Sequence, residues 1–178
     1  MDTNYLESQL RQTQARFQRE LEILHSQGII NEVDIRKIMS QAEVSKGALL
    51  ESIKRKDLIP QVQEELVTAL VRDYQLSVQS IIDNAILRLG PHALLSYKFN
   101  QVDEKVRAFV ADKGFSDPQS RSLQGFMEGA RAYALKALRG SQATRTPAKV
   151  DFQGMVNDYA AVIEECVQRL QSSAKFIR

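Results

Sequence analysis

The chain is poor in the residues that staple, kink or ligate. Its 178 residues hold one cysteine, Cys166. No internal disulfide can form, which argues against a disulfide-stapled secreted domain and against a cysteine-based zinc site. The two histidines, His25 and His92, stand far apart with no ligand spacing between them. No apolar run approaches the roughly 18 residues that a membrane span needs. The segment Met1-Asp2-Thr3-Asn4-Tyr5 lacks the basic and apolar regions of a signal peptide. The expectation is a reducing, cytoplasmic setting and no integral membrane role. Neither sign of charge dominates: 24 Lys and Arg face 22 Asp and Glu. That balance by itself implies neither a nucleic-acid nor a membrane partner.

The motifs of catalysis are missing too. There is no Gly-x-x-x-x-Gly-Lys-[Ser/Thr] loop, no Gly-x-Gly-x-x-Gly, no His-Glu-x-x-His, no Glu-x-x-His and no EF-hand spacing. The carboxylate pairs Glu64-Glu65 and Glu164-Glu165 are adjacent on helices, point about 100° apart, and read as solvated surface. Cys166 lies on an apolar stripe, where cysteine behaves as a small hydrophobe. The expectation is a protein that is not an enzyme, with no catalytic residue, no cofactor and no metal.

What is present favours helix. Four prolines and eight glycines are few, and they fall mostly where helices should stop. Gln, Glu, Leu, Ala, Lys and Arg are abundant, and all are good helix formers. The reading is all-α: a helical bundle of about six to seven helices around a long central helix at about 60–89, with an N-terminal αα-hairpin. Residues 1–43 are read as the hairpin and 45–178 as the bundle.

In the first helix, about Thr3 to Gln27, Leu6, Leu10, Phe17, Leu21 and Leu24 recur at helical spacing on an otherwise polar rod. Gly28 ends it. Asn31 and Asp34 form a capping-box pattern, with Ile30 and Ile35 placed to staple it. Val33, Ile35, Ile38 and Met39 supply the apolar contacts of the second helix. A hairpin this thin cannot bury its own stripe completely, so it must pack on the rest of the chain or on a partner. Leu6, Leu10, Phe17 and Leu24 are therefore candidates for binding another protein, or for self-association. The segment Phe17-x-x-Glu20-Leu21-x-x-Leu24-x-x-x-Gly28-Ile29-Ile30, followed by Ile35 and Ile38, resembles the short helical hairpin of bacterial SHOCT domains. It also resembles the N-terminal segment of some fungal SH3 adaptors of the actin cytoskeleton. The likeness covers about 25 residues, and no SH3-like strands follow. The same pattern serves any helix–Gly–helix hairpin, so no function is carried over.

A short third helix is expected over about Lys46 to Arg55, capped by Ser45 and ending in Lys54-Arg55-Lys56. From Pro60 a helix can run to Leu89, with Val67, Leu70, Val71, Tyr74, Val78, Ile81, Ile82, Ala85 and Leu89 in one broad apolar arc. The next helix spans Pro91 to Lys113 and Gly114 ends it, with Leu95, Phe99, Val102, Val106, Phe109 and Val110 inward. Another starts with Asp117 as cap and Pro118 following, and runs to about Arg139. Leu123, Met127, Ala130, Ala134 and Leu138 face its core. Residues 140–150 read as a loop holding Thr146-Pro147, a candidate phosphorylation site in a eukaryote. A last helix begins near Asp151, with Tyr159, Ile163, Cys166 and Val167 inward.

One charged stretch stands out. Arg131, Lys136, Arg139, Arg145 and Lys149 are interrupted by no acid; Glu128 and Asp151 bracket them. Helix-dipole compensation accounts for part of this. The sharper reading is a phosphate site, for nucleic acid or a phospholipid headgroup, beside Tyr133. The functional expectation is thus a protein–protein interaction or adaptor/assembly subunit, with nucleic-acid or phosphate binding as the alternative.

Overall fold

A computed structural model of the chain describes residues 3–54, 60–143 and 150–174. Six helices account for nearly all of them, and no strand occurs among the described residues. They are α1 (Thr3–Ser26), α2 (Glu32–Lys54), α3 (Pro60–Leu87), α4 (Pro91–Lys113), α5 (Asp117–Ala143) and α6 (Phe152–Ala174). The chain divides into two compact units, Met1–Leu89 and Gly90–Arg178. In the first, α1, α2 and α3 pack pairwise against one another; in the second, α4, α5 and α6 do the same.

Local chemistry sets the turn between α1 and α2. Gly28 has φ 72°, the left-handed conformation that costs a side chain little only when there is none. The Asn31 side-chain oxygen accepts the Asp34 N–H at 2.9 Å, and the Asp34 carboxylate accepts the Asn31 N–H at 3.3 Å. This is the reciprocal capping box expected from the sequence. Arg88, just past α3, forms an ion pair with the same Asp34.

α2 differs from expectation. It continues through Val44 and Ser45 to Lys54, so the separate helix expected from Lys46 is its C-terminal half. Ile38, Ala42 and Ile53 fall on one buried stripe, which keeps the segment in helical phase. Mid-helix, the Lys46 ammonium donates to Gln14 of α1 at 3.0 Å and pairs with Glu43 at 2.8 Å. The hydrogen bonds from Lys46 and then Gln14 hold the Glu43 carboxyl below its usual range. Val33, expected to face inward, is 69% exposed.

The long helix expected from Pro60 is α3. Val67, Tyr74, Val78, Ile82, Ala85 and Ile86 are its buried residues, and its packing partners are α1 and α2. Leu76 and Leu89, by contrast, are exposed.

The second unit closes around Leu95, Phe99, Leu123, Met127, Leu138, Tyr159, Ile163 and Val167. Phe99 and Tyr159 stack with ring centroids 4.1 Å apart. α4 ends at Gly114, again left-handed at φ 64°. The cap of α5 is Ser116 rather than Asp117. The Gln119 side-chain oxygen accepts the Ser116 N–H at 2.9 Å, and the Gln119 N–H reaches back to Ser116 Oγ at 3.4 Å. The reason is spacing: a capping box needs a side chain three residues on that reaches back to the cap N–H, which Gln119 does for Ser116. The Gln119 amide also donates to the Leu170 carbonyl at 2.9 Å, tying the start of α5 to α6. Asp151 caps α6 by accepting the Gly154 N–H at 2.8 Å. α5 runs past Gly140 to Ala143. Arg55, Lys56, Thr146-Pro147 and the tail from Lys175 lie outside the described residues.

Candidate functional site

The N-terminal stripe is not a free surface. Leu6 and Leu10 are fully buried, and Phe17, Leu21 and Leu24 nearly so. α1 packs on both α2 and α3, and the third helix closes the stripe that a two-helix hairpin would leave open. Leu6, Leu10, Phe17 and Leu24 are therefore the core of the first unit.

The basic run divides. Arg131 is turned to internal use. Its guanidinium donates to the Asp103 carboxylate at 2.8 Å and to the Asn100 side-chain oxygen at 2.7 Å. It also lies 5.9 Å from the centroid of the Phe99 ring. The Tyr159 hydroxyl donates to the other Asp103 oxygen at 2.6 Å. Asp103 thus joins α4 to α5 through Arg131 and to α6 through Tyr159. Burial, then the hydrogen bond to Asp103, pushes the Tyr159 phenol far above its usual range. It is a neutral donor at physiological pH. The network satisfies every charge it buries, as a structural cross-link must. Its presence was detectable in principle: Asp103 interrupts the apolar row of Phe99, Val106 and Val110.

A cleft of about 580 Å³ opens beside the network, between α4 and α5. Val110, Phe115, Leu123 and Met127 line it on the apolar side, and Arg107, Gln124, Glu128 and Arg131 on the polar side. Among the described residues no group of His, Cys, Asp and Glu is placed to hold a metal ion. Cys166 is half-buried, and burial pushes its thiol up, away from the thiolate a nucleophile needs.

Lys136 and Arg139 are exposed, and among the described residues no ion pair engages either. Arg145 and Lys149 lie outside the described residues. What remains of the basic surface sits on the outward side of α5. The helix turns Leu123, Met127 and Leu138 into the core, which leaves residues in the opposite phase outside. Tyr133 is there, 78% exposed, and Phe126, seven residues earlier, is 40% exposed. Gly125 and Gly129 are exposed beside them, with open space where a Cβ would stand. Phe126 is the residue that periodicity missed. It falls one position before Met127 and so out of phase with the core row, which was its signal.

No protein-family model, curated protein or solved structure matches this chain. The site therefore has to be read from its own chemistry. Among the described residues, no helix is long and apolar enough to cross a membrane.

Proposed function

We propose that the protein is a non-enzymatic interaction or adaptor subunit that binds another protein through the outward face of α5. One observation carries this reading: Tyr133, a large amphipathic ring, is held 78% exposed on a regular helix, on a face whose small residues cover nothing. Tyrosine is among the residues that contribute most at protein interfaces, because it buries much area with few rotatable bonds. Phe126 and the cation Lys136 extend the face. A cytoplasmic setting goes with the reading, since the single cysteine calls for no oxidising compartment.

The nucleic-acid or phosphate alternative draws on the same run but keeps less of it. Arg131 is committed to Asp103 and Asn100. Two exposed cations are a small footprint for phosphate-driven binding, whose affinity rises with each phosphate neutralised.

The test is site-specific photo-crosslinking in the native cell, with a benzophenone side chain at position 133 or 126. Position 104, exposed on α4, serves as the control. Protein adducts at 133 and 126 but not at 104 are expected. Adducts only to nucleic acid, or none above the control, would overturn the reading.

A further inference from the structure

We infer that the chain is a tandem duplication of one three-helix module, and that the two copies have diverged at one buried site and on one outward helix face.

Register carries the inference. Each unit holds three helices. The second helix of each starts with a reciprocal capping box, at Asn31 and at Ser116, 85 residues apart. The same interval takes the buried Ile38, Ala42 and Ile53 of α2 to the buried Leu123, Met127 and Leu138 of α5. It also takes the buried Tyr74, Val78 and Ile82 of α3 to the buried Tyr159, Ile163 and Val167 of α6. α1 and α4 are both closed by a left-handed glycine, Gly28 and Gly114, 86 residues apart. The turn after Gly114 is one residue shorter, and that restores the common interval.

Amphipathic helices can slide by one turn and still match stripe to stripe. The polar residues forbid the slide here. Lys46, midway along α2, donates to Gln14 of α1 at 3.0 Å, and Arg131, midway along α5, donates to Asn100 of α4 at 2.7 Å. Lys46 and Arg131 again stand 85 apart, and Gln14 and Asn100 stand 86 apart. A cation reaching back to an amide on the preceding helix therefore holds the same place in both units. Identical residues across the interval are few, Glu43 with Glu128 and Leu50 with Leu135 among them. The repeat shows in burial and capping rather than in identity.

The equivalence accounts for the orphan hydroxyl of Tyr74. In the second copy Tyr159 donates to Asp103 at 2.6 Å. The glycine alignment puts Phe17 where the second copy has Asp103, and a phenyl ring offers no oxygen to accept the bond. The first copy has the tyrosine without the carboxylate, and the hydroxyl meets no partner among the described residues. The equivalence also separates scaffold from addition. Where α5 turns Phe126 and Tyr133 outward, α2 has Gln41 and Ala48, both exposed. The module packs without rings at those two places. That agrees with the interaction reading above, but the duplication does not rest on it.

The experiment is a double-mutant cycle on the intact chain, read by urea unfolding. Phe17→Asn restores an acceptor at the position of Asp103 without burying a charge. It is expected to destabilise the chain, but its effect on the unfolding equilibrium should be about fivefold to tenfold smaller with Tyr74 present than in the Tyr74→Phe background, the worth of one neutral hydrogen bond. Equal losses in the two backgrounds would overturn the equivalence. If Phe17→Asn abolishes cooperative unfolding, a transplant decides. Residues 152–171 of α6 replace residues 67–86 of α3 in register, or residues 63–82 one turn out of register. The first chimera is expected to unfold cooperatively within about 10 °C of the parent, and the second to melt well below it. A second chimera as stable as the first would overturn the duplication. A third arm gives α5 the residues of the first copy, Phe126→Gln with Tyr133→Ala, and an unchanged unfolding midpoint is expected. A drop of about 5 °C or more would show that the rings serve the fold, and would overturn the divergence of that face. Failure of the cycle leaves the interaction reading standing, and absence of photo-crosslinks at 133 and 126 leaves the duplication standing.

Discussion

Replacing Tyr159 by phenylalanine and Tyr74 by phenylalanine deletes the same oxygen from two nearly equally buried side chains, at 4% and 1% exposure. The outcomes should differ in sign. Tyr159 Oη stands 2.6 Å from an Asp103 oxygen and donates to a carboxylate. Hydrogen bonds to charged groups contribute roughly 1.5–3 kcal/mol, so Tyr159→Phe is expected to cost about 2 kcal/mol. Arg131 continues to hold the other Asp103 oxygen, which keeps the loss at the lower end. In a unit of this size, that lowers the unfolding midpoint by roughly 10 °C. Tyr74 Oη is buried and meets no hydrogen-bond partner among the described residues. Its removal relieves a desolvation cost, and Tyr74→Phe is expected to be neutral or stabilising by about 1 kcal/mol. Thermal and urea unfolding followed by circular dichroism measure both. A Tyr159→Phe variant within about 0.5 kcal/mol of the parent, the size of an ordinary surface effect, would refute the reasoning. So would a Tyr74→Phe variant that loses more than Tyr159→Phe. Alkali gives a second check. Burial, then the charge of Glu43, raises the Tyr74 phenol to about 12. The unfolded phenol ionises near pH 10, so between about pH 10 and 12 the unfolded chain has lost a proton that the folded chain keeps. The stabilisation is therefore complete below pH 10 and lost as pH rises through the folded value. Tyr74→Phe should lose less stability over that window than the parent.

Phe17→Ala should destabilise the first unit by about 3–5 kcal/mol, the cost of emptying a buried phenylalanine site, as read by urea denaturation. A change near zero would return Phe17 to the surface. Arg131→Met should cost about 2–3 kcal/mol, because Asp103 is then left with Tyr159 alone; a calorimetric midpoint unchanged from the parent would contradict the network. The two kinds of glycine should respond oppositely. Gly129→Ala should add about 1 kcal/mol of helix stability, since its Cβ meets nothing, whereas Gly114→Ala should lose about 1 kcal/mol at its left-handed φ. Equal effects from the pair would show that the backbone geometry is not deciding them.

The all-α class and most helix ends were legible because their causes lie within four residues of chain. The Asn31–Asp34 box, the left-handed Gly28 and Gly114, and the Asp151 cap are all of that kind. Two errors arose where two local signals competed. Ser45 has the character of a cap, yet the buried stripe through Ala42 and Ile53 carries α2 past it. Asp117 is a good cap residue, yet Gln119 favours Ser116. The proposed interaction surface was not legible as one: Tyr133, Lys136 and Arg139 stood out only as part of a candidate phosphate site, and Arg131 was grouped with them because its partners are 28 and 31 residues away.

Periodicity determined which residues of each helix share a face, since 3.6 residues per turn is a property of the backbone alone. It could not determine which face would be covered. The Leu6–Leu10–Phe17–Leu24 stripe and the Phe126–Tyr133 row are both regular apolar features on amphipathic helices. Only packing separates them: α2 and α3 close the first, while α4 and α6 meet α5 on its other side and leave the second outside. Burial belongs to pairs of elements distant in the chain, and so do the Asp103 contacts to Arg131 and Tyr159. That is why the tertiary structure moved the candidate interface from the first helix to the fifth.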